Sequence, residues 1–290
     1  MSVWMYVIRE LEDAIDDCNS ECKIDECNDD QVHAWDEAVA FYVGSEAKSS
    51  GDGGYMPYTL GQKRCLDFGT CLETGTEVGM AGVNSEIFKH FRQGKQNIIL
   101  GNCAAAKEDV ARIIPLMAVP LIQGTLRYAY AMDKQNDTRE KAEAEGATFA
   151  AAVLPLLNAC AEADADVVYD NMRVGNGGTA SFPVVKEAFE RNYECMGVTC
   201  ADVGGLVDTV TEGYLAGAEP CGYKAPEKES SSSSSTTTGA TQATGGDNGP
   251  NVGLAVGLTV GIVALLIVVA LLVSRKNEKE FDGVAEPEVA

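Results

Sequence analysis

Histidine is almost missing from this chain: His33 and His90 are the only two among 290 residues. Acid–base chemistry built on imidazole therefore has few places to occur. Catalytic signatures are lacking as well, with no G-x-S-x-G, no P-loop and no H-E-x-x-H. The expectation is a protein that is not an enzyme. Basic side chains are scarce, 22 Lys and Arg against 44 Asp and Glu, a net charge of −22. A surface of that sign repels phosphate backbones and excludes a nucleic-acid partner. No C-x2-C pair exists and both histidines lie far from paired cysteines, which argues against zinc. Runs of alternating strand residues are also wanting. The class read from these absences is all-α, a helical bundle.

Against this background one apolar run stands out. Residues 252–273 (VGLAVGLTVGIVALLIVVALLV) hold no charge, and Thr259 is the only polar side chain among them. As a helix the run is about 33 Å long, enough for a hydrocarbon core of about 30 Å. A buried core helix of that length would show a polar face, and this one has none. Arg275, Lys276 and Lys279 follow it, while no basic residue lies between Lys228 and the run. The positive-inside rule then places residues 274–290 in the cytoplasm and 1–251 outside, a single-pass anchor in the plasma membrane.

Cysteine usage agrees with that topology. Cys18, Cys22, Cys27, Cys65, Cys71, Cys103, Cys160, Cys195, Cys200 and Cys221 all precede the apolar run. An even number on an external domain reads as a disulfide framework whose pairing stays open. The close spacings 18–22–27, 65–71 and 195–200 suggest short loops stapled to helix ends. Residues 225–251 (core ESSSSSSTTTGATQATGGDNGP) lack anything able to pack and form a disordered or O-glycosylated stalk. Asn136-Asp137-Thr138 is the one N-glycosylation sequon, in a polar break. The start MSVWMYVIRELEDAIDDC has no basic n-region and reads as a helix stripe, so a signal peptide and more domain are expected upstream. Residues 1–224, with 18 basic and 36 acidic side chains, are then the folded ectodomain.

Within it, apolar periodicity near 3.6 predicts helices at about 3–21, 30–43, 84–100, 104–133, 138–163 and 182–195, with a short one near 202–214. Asp30 and Asn84 are expected as N-caps and Gly101 as a stop. Pro115, Pro120 and Pro155 should kink or divide their helices. The Gly-rich stretch 44–58 reads as a long loop.

Candidate chemistry gathers at two places. His33 opens a helix with Asp36 at i+3 and Glu37 at i+4, which puts both carboxylates on the imidazole's face. Such a face is half of a metal site in a helical bundle, and oxygen-rich ligation with one imidazole suits Fe(III) or Mn. The same acids, with Asp29 and Asp30, serve equally well to balance the helix dipole. Tyrosines, as hard anionic donors, complete a ferric set: Tyr55 and Tyr58 near the Gly-rich loop, Tyr128 and Tyr130 after Arg127. Arg127 is suited to pair with a bound anion. Packing for Tyr128 and a structural ion pair for Arg127 are the plainer roles. His90, beside Lys89, Arg92 and Lys95, is expected to be a surface or packing residue.

Five stretches carry a family resemblance: QVHAWDEAVAFYVGS, YTLGQKRCLDFGTC, VPLIQGTLRYAYAMD, AEGATFAAAVLPLLNAC and NYECMGVTCADVGG. Together they resemble the Fe-assimilating protein family of algae, which includes the iron-starvation-induced phytotransferrins of diatoms. The likeness spans roughly residues 5–210. It implies a cell-surface protein that binds ferric iron with carbonate as synergistic anion and delivers it by endocytosis, with endocytic or reductase partners. His33-x-x-Asp36 is also similar to the G-x-H-x-x-E motif of imelysins, helical iron-uptake proteins, with Gln31 for the glycine and Asp36 for the glutamate. The site expected from the chemistry is His33, Asp36, Glu37, Tyr55 and Tyr128 for Fe(III), and Arg127 for carbonate. Acidification would protonate carbonate, phenolate and His33 and release the metal. The rival expectation is a structural or adhesive acidic surface glycoprotein, with at most weak Ca²⁺ binding.

Overall fold

Nine helices and one β-hairpin make up the described residues: 2–20, 30–44, 56–74, 77–208, 211 and 213–222 of a computed structural model. All of them fall in the compact unit Met1–Glu227. The helices are α1 (Ser2–Ser20), α2 (Gln31–Val43), α3 (Pro57–Phe68), α4 (Gly82–Ile99), α5 (Cys103–Lys134), α6 (Glu140–Cys160), α7 (Glu162–Met172), α8 (Phe182–Glu190) and α9 (Cys200–Val203). Strands β1 (Cys71–Thr74) and β2 (Glu77–Ala81) pair antiparallel between α3 and α4.

Apolar stripes explain the packing. Val7, Leu11, Ala14 and Ile15 bury one face of α1 against α2, whose Ala34, Trp35, Ala38 and Tyr42 are buried in turn. α2 begins where Asp30 accepts hydrogen bonds from the backbone N–H groups of Val32 and His33, the cap expected from sequence. Around α5 pack α1, α3, α4, α6, α7, α8 and α9, so its middle is buried on every side from Leu116 to Leu126. Among the described residues α5 alone is long and apolar enough to cross a membrane, and 78% of its apolar window is buried within the protein, as in a core helix. The expected anchor at 252–273, the stalk and the cytoplasmic tail lie outside the described residues.

Several expectations need correction. The prolines do not divide their helices: α5 continues through Pro115 and Pro120, and α6 through Pro155, because packing along their length outweighs one missing donor per proline. Asn84 is not a cap: α4 starts at Gly82, and Asn84 is fully buried, taking a hydrogen bond from the Tyr42 hydroxyl (2.7 Å) and donating to the Tyr58 carbonyl (2.9 Å). Helical structure predicted at 138–163 ends at Cys160 and restarts as α7 after the extended Ala161. The helix near 202–214 stops at Val203, because Gly204 turns to positive φ (+69°) where a β-carbon would run into the Phe68 carbonyl. Val207 then bridges to Tyr214. The hairpin and α3 had no predicted counterpart. Tyr58, assigned to a loop, sits inside α3.

Among the described residues four disulfides close the fold: Cys18–Cys103, Cys65–Cys71, Cys160–Cys195 and Cys200–Cys221. Only Cys65–Cys71 follows the local spacing. Cys18, Cys195 and Cys200 reach partners 85, 35 and 21 residues away, tying helix ends that sequence keeps apart. Cys22 and Cys27 lie outside the described residues.

Candidate functional site: a cleft between α3, α5 and α6

The two predicted clusters fare differently. At the start of α2, His33 Nε2 lies 3.3 Å from Glu37, one turn along, and the imidazole is 62% exposed. Asp36 turns away from that pair: both of its oxygens accept from Lys95 of α4 at 2.7 Å. Tyr55 lies outside the described residues. His90 behaves as expected of a packing residue, half-buried with Nδ1 2.8 Å from Asp109, which also accepts from Asn97 at 3.0 Å.

Arg127 and Tyr128 line a cleft of about 440 Å³ with Asp67, Arg139, Lys141 and Glu145. Its position follows from close packing between α5 and α6. Gly124 lies under the Phe149 ring with no room for a methyl group, and Gly146 packs closely on the Tyr128 β-carbon. The tight approach stacks Tyr128 on Phe149 (centroids 5.9 Å apart, rings 15° from parallel) and brings the Tyr128 hydroxyl to donate to Glu145. The Arg127 guanidinium lies over the Tyr128 ring at 5.4 Å.

From α3 come Arg64 and Asp67, one turn apart. Arg64 Nη1 (2.8 Å) and Arg127 Nε (3.2 Å) both reach Asp67 Oδ2. The Asp67 carbonyl accepts from the Val207 N–H at 2.9 Å, which fixes the segment after α9 beside the cleft. Arg64 is only 9% exposed, lies 5.3 Å from the Phe149 ring centroid, and leaves its Nε without a hydrogen-bond partner. Burial pushes its guanidinium below the ordinary range, with Arg127 adding to the push, while Asp67 and Glu145 oppose it. On the rim Arg139 clamps Asp137 through two hydrogen bonds of 2.7 Å and brings its carboxyl down to about 2. Asn136 of the sequon is exposed beside it, with φ +53°.

Arg127 and Tyr128 thus hold the structural roles anticipated for them and also face a cavity. Reading the sequence did not single out Arg64, Asp67 or Glu145. The signal was present, because three of the resembling blocks supply them: YTLGQKRCLDFGTC (Arg64, Asp67), VPLIQGTLRYAYAMD (Arg127, Tyr128) and AEGATFAAAVLPLLNAC (Glu145, Phe149). Chemically the cleft offers a phenol touching a carboxylate, next to a guanidinium with N–H groups to spare. Among the described residues no three His, Cys, Asp or Glu side chains gather into a metal-binding group.

No protein-family model matches the chain, and no curated protein or solved structure matches it.

Proposed function

We propose that the protein captures ferric iron at the cell surface and that the cleft between α3, α5 and α6 holds it. The observation that carries this reading is the Tyr128 hydroxyl against Glu145, with Arg127 over the same ring. Phenolate and carboxylate are hard oxygen donors of the kind Fe(III) prefers. Metal would displace the phenolic proton, so binding releases a proton and acid reverses it. Arg127 contacts Asp67 through Nε, and its terminal nitrogens are suited to a bidentate carbonate beside the metal. The apolar run at 252–273 would anchor the chain, and endocytosis into an acidic compartment would discharge the iron. The His33 helix start supports a metal less well, because Lys95 holds Asp36.

A ferric titration of the full chain in mildly alkaline bicarbonate buffer tests this. Wild type should develop a visible phenolate-to-iron absorption band, and Tyr128→Phe should lose it with a drop in affinity of about tenfold or more. His33→Ala combined with Asp36→Ala should keep both. The opposite pattern would move the site to the start of α2. Absence of ferric binding by wild type would favour the structural or adhesive surface glycoprotein. Affinity independent of bicarbonate would remove carbonate alone.

A further inference from the structure

Fe(III) takes an octahedral set of hard donors, and the cleft's own supply is short. Asp67 is shared by two guanidiniums, and Asp137 is clamped by Arg139. Tyr128 and Glu145 remain, and no third carboxylate, histidine or cysteine gathers with others as a metal group among the described residues. Cations, in contrast, are in surplus. Arg64 and Arg127 converge on one carboxylate oxygen and share it, with Glu145 acting on Arg64 only from further off, and Arg64 keeps a buried Nε unpartnered. Lys141 adds an exposed ammonium whose nearest carboxylate oxygen, on Glu145, is 4.0 Å away. A buried charge without a full partner is costly unless a ligand of opposite charge completes it. The cavity, about 440 Å³, is of the size that takes organic ligands and is large for a small planar ion such as carbonate.

Resting on the ferric reading above, we infer that the cargo enters as a ferric hydroxypolycarboxylate, bound as the intact chelate. The chelator supplies most of the iron's oxygen donors and the negative charge that answers Arg127 and Lys141 in the cleft lining. Tyr128 loses its proton to solvent and takes one coordination position from a departing water, while Glu145, freed from the phenolic hydrogen bond, is placed to take another. The chelator's outlying carboxylate lies on the free N–H groups of Arg127, which match it in a fork.

Ferric citrate with labelled citrate is the probe, applied to the full chain in bicarbonate-free buffer and again with bicarbonate present. Iron and citrate should be retained together in equal amounts after desalting, with the phenolate band present in both buffers. Arg127→Gln should weaken retention of both by about tenfold. Lys141→Gln, at an exposed position where the fold is not at risk, should weaken it severalfold. Iron retained with citrate expelled would overturn the inference and leave ferric binding standing. Retention of neither, in either buffer, would overturn both. Citrate retention unaffected in the Lys141 and Arg127 variants, with folding confirmed by circular dichroism, would also overturn the inference.

Discussion

Gly94 lies directly against the six-membered ring of Trp35, and a methyl group there would overlap the indole. Trp35 has no exposed surface and donates its ring N–H to the Phe91 carbonyl at 3.0 Å, so it cannot swing aside without breaking a buried hydrogen bond. Gly94→Ala should therefore lower stability by about 1–3 kcal/mol despite the better helix propensity of alanine, as urea melts would measure. Asp36 and Tyr128 teach a related lesson. Both carry the atoms a metal wants, yet only Tyr128 has its donor beside another hard donor in a cavity. Which of two good donors is available depends on the neighbour it meets, Lys95 for one and Glu145 for the other.

At the scale of elements, helices with one clean apolar stripe were legible and their ends nearly so. The ranges predicted for α1, α2, α4 and α5 lie within two residues of the observed ones. Local pattern sets such helices, because one buried face and one cap suffice to define them. The β-hairpin was illegible: strands of four and five residues give no measurable period. They are held by the Cys65–Cys71 bridge and by Gln62, whose side-chain carbonyl accepts from the Ala81 N–H at 2.6 Å. The bridge Cys160–Cys195 pins the end of α6, the helix that carries Glu145 and Phe149. Replacing both cysteines by serine should cost about 2–4 kcal/mol in chemical denaturation and, on the proposed ferric reading, broaden the ferric titration, since α6 is then less firmly placed. An unchanged melt with full ferric affinity would count against that role.

For the molecule as a whole the acid response can be signed. Arg139 holds Asp137 down to about 2, and the hydrogen bond from Arg191 is the main reason Asp164 is also depressed. Groups with folded values below their unfolded ones add stability that is complete above the ordinary carboxylate range near 3.8. That stability is lost only as pH falls through the folded value, about 2 for Asp137. At about pH 5, well above the folded value of Asp137, these ion pairs remain formed. On the proposed ferric reading the fold should persist while iron leaves: near-ultraviolet circular dichroism unchanged between about pH 8 and 5, with the phenolate band lost over the same interval. Loss of both signals together would mean release by unfolding.

Sequence alone determined the acidity, the positions of the principal helices, the apolar run near the C-terminus and the blocks from which the cleft is built. Each is a property of neighbouring residues, written in charge or periodicity. Disulfide pairing and the membership of the cleft were decided by tertiary structure. Arg64 and Asp67 lie about sixty residues from Arg127 along the chain, and Tyr128 is 17 residues from Glu145 across a helix turn-around. They meet only because Gly124 and Gly146 let α5 and α6 approach to ring contact and because α3 packs on α5. Contacts of that range depend on packing the whole bundle, and no local pattern encodes them.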